Sequence, residues 1–103
     1  MLRLGDVRTA YSDGNHNAFT DLVRFQSRIF LCFRSSTVGH GAGEPAEVVV
    51  LSSEDDGRTW QPCHRFGVAR RDPRDPHFLV FRGRLWVYTG CWLCPEEIGR
   101  AHV

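Results

Sequence analysis

The 103-residue sequence has no lysine and a single methionine, and it lacks long hydrophobic runs. No apolar stretch approaches the ~18 residues that a membrane-spanning helix needs, so we expect no membrane span. The first residues, Met1 to Asp6, do not contain the apolar core of a secretory signal peptide. Localisation therefore stays open, with the cytoplasm as the default expectation.

Neither positive nor negative charge is in excess. The 13 cationic side chains, all arginine, stand against 12 acidic ones, and the formal net charge is +1. No basic stretch is denser than Arg70, Arg71 and Arg74, so nucleic acid is not indicated as a partner. With 42% hydrophobic and 24% charged residues, the composition is that of one ordinary globular unit.

The chain has 4 cysteines, which leave several pairings open. They could form two disulfides, or part of a zinc site, which requires four well-placed ligands. Only one close pair exists, Cys91 and Cys94, and the other ligands would have to come from Cys63, His64 or His102. We therefore expect no metal and no cofactor. Cys32 and Cys91 lie within or just after apolar alternating segments, which predicts that they are free thiols buried as small hydrophobic residues.

Apolar residues recur with period two, and turn residues interrupt them at short intervals, which predicts an all-β chain without helices. The predicted strands are residues 19–25, 28–34, 47–52, 60–66, 77–81 and 84–89. The glycine-containing residues 35–45 are predicted to form a long loop, and the Arg/Asp/Pro-rich residues before His77 a second one. The consecutive valines of the third strand indicate burial on both of its faces.

The chain also repeats itself at an offset of 56 residues. Residues 25–32 (FQSRIFLC) match residues 81–88 (FRGRLWVY) in the order aromatic, turn, arginine, aliphatic, aromatic, aliphatic. A repeat of about this length with four short antiparallel strands is typical of a β-propeller blade, although common blades are somewhat shorter, at ~40–50 residues.

Residues 53–60 (SEDDGRTW) fit the pattern SxDxGxTW at every specified position. This composition predicts a hairpin turn held by its own side chains. Asp55 would accept backbone N–H groups across the turn, and Ser53 would help to close it. Gly57 supplies a positive φ, while Thr59 and Trp60 resume the strand. A generic Asp-Gly hairpin would explain only the two central residues.

The octapeptide resembles the Asp box, or BNR repeat, of the sialidase (neuraminidase) superfamily. Residues 16–22, 33–34 and 74–76 are similar to a bacterial branch of sialidase-like proteins. The resemblance implies a six-bladed β-propeller in which the Asp box is a structural turn on the outer rim, away from the substrate. The chain is then expected to be a fragment, and the remaining blades of the parent chain are its expected partner.

The resemblance also implies how the chain divides. Residues 1–103 would form about one and a half four-stranded antiparallel blades: blade one at about 16–66, with the Asp box at 53–60, and the first half of the next blade at about 74–90. Residues 3–11 would be a strand left over from ring closure. Such an incomplete ring leaves a sheet face and edge uncovered, so we expect the isolated piece to be only marginally stable.

As the resemblance implies it, the complete protein is a glycoside hydrolase acting on a glycan or glycoconjugate. In the family, three arginines hold the substrate carboxylate, a Tyr–Glu pair supplies the nucleophile, and a loop Asp acts as acid and base. Arg34 matches one of these arginines, Asp75 matches an aspartate at the substrate pocket, and His40 stands where the loop acid is expected. The first family arginine has no equivalent here, and the Tyr–Glu pair would lie in later blades, so the fragment alone is expected to be inactive.

The residues predicted from these matches and from propeller geometry fall into two groups. The catalytic candidates are Asp75 and His40, and the substrate-binding candidates are Arg34, Arg74, His16 and Asp21. Three of the six have a plainer alternative: a rim salt bridge for Arg34, with Asp21 as one partner, an exposed loop histidine at 40, and a strand-initiating turn at 75.

Two further functions remain open. One is a non-catalytic Asp-box propeller that binds glycans or proteins, because a fold does not fix a function. The other is a sucrose- or arabinan-type propeller glycosidase, suggested by the Arg-Asp-Pro motif at residues 74–76. This sucrose- or arabinan-type function ranks last of the three, because the five-bladed propellers of that type lack Asp boxes.

Overall fold

The computed structural model describes residues 2–94, which form two antiparallel sheets and no helix. The predicted all-β fold class is therefore confirmed for this part of the chain. No helix within the same residues is long and apolar enough to cross a membrane.

Six strands follow one another along the chain. Sheet A contains β1 (His16–Phe25), β2 (Arg28–Ser36), β3 (Glu47–Ser53) and β4 (Gln61–Phe66), and sheet B contains β5 (Arg71–Phe81) and β6 (Arg84–Leu93). The strand order of sheet A is β1-β2-β3-β4, so each strand pairs with its neighbour in sequence. Such hairpin connections need only short turns, except between β2 and β3, where residues 37–46 form a long loop.

The repeat seen in the sequence extends to the backbone. Gln26 and Ser27, between β1 and β2, both have positive φ (50° and 67°), as do Arg82 and Gly83 between β5 and β6 (52° and 73°). Two consecutive positive φ values are the mark of a type I′ turn, whose twist suits a two-residue hairpin. The two hairpins therefore turn in the same way at equivalent positions.

A second shared feature is an irregularity near the start of each hairpin's first strand. The register shifts between Ala18 and Asp21 in β1, and between Arg74 and His77 in β5. These two bulges are again 56 residues apart. Within them Phe19 has a φ of 60° and Asp75 one of 50°, a left-handed conformation that is uncommon for phenylalanine and more readily adopted by aspartate.

The core lies on both faces of sheet A. Its inner face packs against the inner face of sheet B, which consists of Phe78, Leu85 and Val87. The inner face of sheet A contains the buried residues Phe30, Cys32, Val48 and Val50, flanked by Val23, Phe25 and Phe66. Its outer face contains Leu22, Leu31, Phe33, Val49 and Leu51, part of which is covered by Tyr11 and Trp60. Residues Val48 to Leu51 of β3 are buried on both faces, as predicted.

Three local predictions are wrong. Residues 3–11 form no strand. β5 begins at Arg71, inside the predicted Arg/Asp/Pro-rich loop. Proline has no backbone N–H to donate, but β5 pairs only with β6, so its other edge needs no such donors and the prolines are tolerated there. Cys91 is exposed rather than buried, since sheet B has only two strands and no third strand lies beside β6. Cys32 is buried, as predicted.

Candidate functional site

The Asp-box octapeptide forms the hairpin between β3 and β4, and its side chains hold the turn. Both carboxylate oxygens of Asp55 accept from Thr59, Oδ1 from the backbone N–H at 2.8 Å and Oδ2 from the hydroxyl at 2.6 Å. Ser53 Oγ donates to Asp55 at 2.8 Å and accepts from Gly57 N at 2.8 Å. Hydrogen bonds from Thr59 and Ser53 lower the pKa of Asp55 well below its usual range.

The conformation of this turn explains its glycine and its tryptophan. Gly57 has the positive φ that the pattern predicts, at 84°. A Cβ at this position would lie 3.5 Å from the Trp60 ring, so the indole covers the turn. Ser53 pairs with Ile29, whereas Val48 pairs with Arg34, so the Asp-box hairpin and Arg34 lie at opposite ends of sheet A.

At the other end, three charged residues form what we call the arginine cluster: Arg34, Asp72 and Arg74. Asp72 Oδ1 accepts from Arg34 Nε, and Asp72 Oδ2 accepts from Arg74 Nε, both at 2.8 Å. The side chains of Arg34 and Asp72 are completely buried, and that of Arg74 is 12% exposed. One carboxylate thus joins the end of β2 to the start of β5.

The same three side chains also fasten the loop formed by residues 37–46. Arg34 donates to the carbonyl oxygens of Gly39, at 2.8 Å, and Glu44, at 3.5 Å. Asp72 Oδ2 accepts from Gly43 N at 2.9 Å. Arg74 donates to the carbonyl oxygens of residues 40 and 41. The loop is therefore held by charge-assisted hydrogen bonds, which are stronger than neutral ones.

Two opposing effects act on the Asp72 carboxyl. Burial raises its pKa, but the hydrogen bonds from Arg34, Arg74 and Gly43 N outweigh burial, so the pKa is lowered overall. The Arg34 guanidinium is engaged at all three of its nitrogen atoms within the fold. The salt bridge given as the alternative for Arg34 is present, but it is buried rather than on the rim, and its partner is Asp72 rather than Asp21.

Next to the arginine cluster lies what we call the histidine pair, His16 and His40. His40 Nδ1 is 3.2 Å from His16 Nε2, and the rings meet edge to face with centroids 4.8 Å apart. Phe19 contacts both this pair and the cluster: its ring centroid is 4.9 Å from that of His40 and 5.4 Å from Arg74 Cζ. His16 Nδ1 is buried and, among the described residues, has no hydrogen-bond partner.

The two remaining predicted residues have different environments. Asp21 Oδ2 accepts from Phe78 N at 2.8 Å and lies 3.7 Å from His77 Nδ1, so it joins β1 to β5. The Phe78 N–H is the main reason that the pKa of Asp21 is lowered. Asp75 is exposed on the β5 bulge, and within residues 2–94 its carboxylate makes no hydrogen bond.

The structure thus brings four predicted residues together, since Arg34, Arg74, His16 and His40 are linked through Asp72 and the residue 37–46 loop. Asp72 is the residue that sequence reasoning missed. A signal was present, because residues 71–76 contain Arg-Asp-Pro twice in tandem, and only the second copy was singled out.

Within residues 2–94, no group of three or more His, Cys, Asp or Glu side chains is placed to hold a metal ion. The four cysteines are unpaired. His102, considered as a zinc ligand from the sequence, lies outside the described residues. Burial raises the pKa of the Cys32 thiol to about 12, so this cysteine is chemically inert in the folded chain.

No protein-family model, curated protein or solved structure matches this chain. Its function therefore has to be argued from the residues and their geometry. Two features are relevant: the Asp-box hairpin, which its own side chains hold at one end of sheet A, and the arginine cluster with the histidine pair at the other end.

Proposed function

We propose that this chain is part of a sialidase-like β-propeller that hydrolyses glycans in its complete form. The observation that carries the proposal is the Asp-box hairpin, which shows every expected side-chain contact at one end of a four-stranded antiparallel sheet. Four of the six predicted polar residues lie together at the opposite end of that sheet, namely Arg34, Arg74, His16 and His40. This separation of a structural corner from a polar end is what the resemblance to Asp-box proteins implies.

The stacking of the two sheets supports a propeller. Sheet A has the four antiparallel strands of a complete blade, and sheet B repeats the first two of them with the same turn and the same bulge. Their inner faces pack together, and the first strand of each sheet contacts that of the other. Propellers are built by repeating such sheets around an axis, so further blades are the expected partners.

In this proposal Asp75 and His40 supply the acid–base chemistry. Asp75 presents an exposed carboxylate from the bulge that follows Arg74, and His40 is held beside Arg74 by the fastened loop. A positioned carboxylate or imidazole typically contributes ~10²–10⁴-fold to such a reaction. The buried Arg34 is assigned a positioning role, because it orders the loop that carries His40. The substrate-binding role stays assigned to Arg74, His16 and Asp21.

The test is a turnover assay of the native polypeptide that carries this segment, against aryl sialosides and a panel of neutral and acidic glycans. We expect Asp75→Asn to lower kcat by about 10²-fold or more. Glu54→Gln, an exposed change at the Asp-box corner, is the matched control and should leave turnover unchanged. Absence of turnover on every glycan would rule out the hydrolase.

One observation favours a second function, that of a non-catalytic module that binds glycans or proteins. Asp72 pairs with both arginines of the cluster, so neither guanidinium is left with an unshared charge for a substrate carboxylate. In that case the same glycan panel would show saturable binding without turnover, and Asp75→Asn would change affinity only.

A further inference from the structure

The bulges in β1 and β5 present two different side chains from equivalent backbone positions. Phe19 and Asp75 lie 56 residues apart, and both have a positive φ, of 60° and 50°. The two bulges are also close in space, because the Phe19 ring centroid is 5.4 Å from Cζ of Arg74, the residue before Asp75. Bulges re-aim side chains and are common next to active sites. One bulge thus supplies an aromatic ring and the other a carboxylate.

The Phe19 ring belongs to an aromatic surface that a ligand can reach. Its centroid is 4.9 Å from that of His40, and the two ring planes are tilted by 38°. Phe19 is half-buried and His40 is exposed. A left-handed backbone is uncommon for phenylalanine, and such conformations cluster at ligand-binding and active sites. The negative face of an aromatic ring attracts weakly positive C–H groups, such as those on the face of a sugar ring.

The unpaired charge at this end of the sheets is negative. Asp72 accepts from Nε of both Arg34 and Arg74, and the other two nitrogen atoms of Arg34 donate to carbonyl oxygens of the 37–46 loop. Asp75, in contrast, is exposed, and within residues 2–94 its carboxylate makes no hydrogen bond. Arg71 is exposed too, but it precedes Asp72 in β5, and neighbouring residues of a strand point to opposite faces.

We infer that the two bulges form a subsite for an uncharged sugar, which stacks on Phe19 and donates hydroxyl hydrogen bonds to Asp75. This placement rests on the proposed function, which puts the glycan at the polar end of the sheets, and adds the class of sugar to it. A hydroxyl bound to a carboxylate makes a charge-assisted hydrogen bond. A sugar that carries its own carboxylate would instead bring a like charge next to Asp75, while both guanidiniums of the arginine cluster are already paired with Asp72. The subsite should therefore reject uronic and sialic acids.

Matched pairs of probes test this selectivity. The methyl glycosides of glucose, galactose and mannose are each compared with the corresponding methyl uronide, in which a carboxylate replaces the hydroxymethyl group. Dissociation constants are measured by NMR titration at low salt, with the native polypeptide that carries this segment. At least one neutral glycoside should bind, about tenfold or more tightly than its uronide. Added salt should narrow the difference, because it screens exposed charges.

Two variants separate selectivity from affinity. Both introduce asparagine, which tolerates the positive φ of the bulges. Asp75→Asn removes the charge, so the uronide should then bind within about threefold of the neutral glycoside. Phe19→Asn removes the ring, so both members of a pair should bind about fivefold more weakly, with their ratio unchanged. Glu54→Gln, an exposed loss of charge at the Asp-box corner, is the matched control and should change neither quantity.

Four results would overturn the inference: uronides that bind as tightly as the neutral glycosides, no binding of any glycoside, a wild-type ratio in Asp75→Asn, or wild-type affinity in Phe19→Asn. The readouts report binding rather than turnover. Selective binding of a neutral glycoside without turnover of any glycan would therefore support the subsite and rule out the hydrolase. Turnover of aryl sialosides with tighter binding of the uronides would do the reverse.

Discussion

Neutralising Asp72 should destabilise the fold more than any other single loss of charge in the described chain. Asp72→Asn keeps the size of the side chain but removes the charge that faces Arg34 and Arg74. The Arg34 guanidinium would then be left buried, at 0% exposure, without a counter-charge. Breaking a buried ion pair in this way costs about 3–5 kcal/mol. Because small domains are stable by only ~5–15 kcal/mol, this is a large share of the total.

The assay is urea unfolding followed by tryptophan fluorescence at one fixed protein concentration. For a small domain, with an m value of ~1–3 kcal/mol/M, a loss of this size lowers the midpoint by at least about 1 M. The matched control is Asp6→Asn, which breaks the pair of Asp6 with Arg8. That pair is closer, at 2.6 Å, but its side chains are 67% and 50% exposed. Exposed pairs contribute about 0–1 kcal/mol, so the control midpoint should hardly move.

A double variant separates the charge from the packing. Arg34→Leu with Asp72→Leu removes the two completely buried charges and leaves only the partly exposed Arg74 without a counter-charge. Replacing a buried ion pair by apolar side chains is often close to neutral. We expect the double variant to recover much of the stability that Asp72→Asn alone loses. If Asp72→Asn shifts the midpoint no more than Asp6→Asn does, the Arg34 charge is not buried in solution. The reasoning about the arginine cluster would then be refuted.

Three further predictions concern single groups. Asp55→Asn should lower the melting temperature by several degrees because it weakens the acceptor that closes the Asp-box turn, whereas Asp56→Asn, in an exposed pair, should not. Folding lowers the pKa values of Asp21 and Asp72, so their ionised carboxylates stabilise the folded chain above the unfolded pKa of about 3.9. This stabilisation is lost as the pH falls through the folded pKa values. The midpoint of urea unfolding should therefore decline below about pH 4, and a midpoint that does not change with pH would contradict this. Cys32 should resist thiol reagents at about pH 8 until the chain unfolds, because burial raises its pKa to about 12, and labelling in the folded state would contradict its burial.

The parts of the fold that local chemistry determines could be predicted from the sequence. Alternation located all six strands, although it misplaced several of their ends, and turn residues located both type I′ hairpins. The Asp-box contacts followed from the octapeptide alone, because donors and acceptors lie within four residues of each other. The start of β5 could not be read in this way, since its prolines are tolerated only because one edge of the strand is unpaired.

The candidate site depends on long-range pairing, which local patterns do not report. Arg34 was identified, but its partner lies 38 residues further along the chain. Of the two aspartates in the tandem Arg-Asp-Pro motif, the strand and its bulge bury Asp72 and expose Asp75. Alternation cannot predict that difference, because the composition of the motif predicts a loop and because a bulge changes which side of the strand each later residue faces.

The contact between the two sheets has a polar end and an apolar end. Near the start of β5, Asp72 binds Arg34 and the carbonyl of Pro76 accepts from Cys32. Further along, Phe78 and its neighbours pack on the inner face of sheet A. The arginine cluster and the histidine pair are therefore ordered by contacts of the 37–46 loop, β1, β2 and the first residues of β5. Substitutions at the apolar end, such as Leu79→Arg, should therefore leave the geometry of the cluster unchanged, whereas Asp72→Asn should release the loop of residues 37–46.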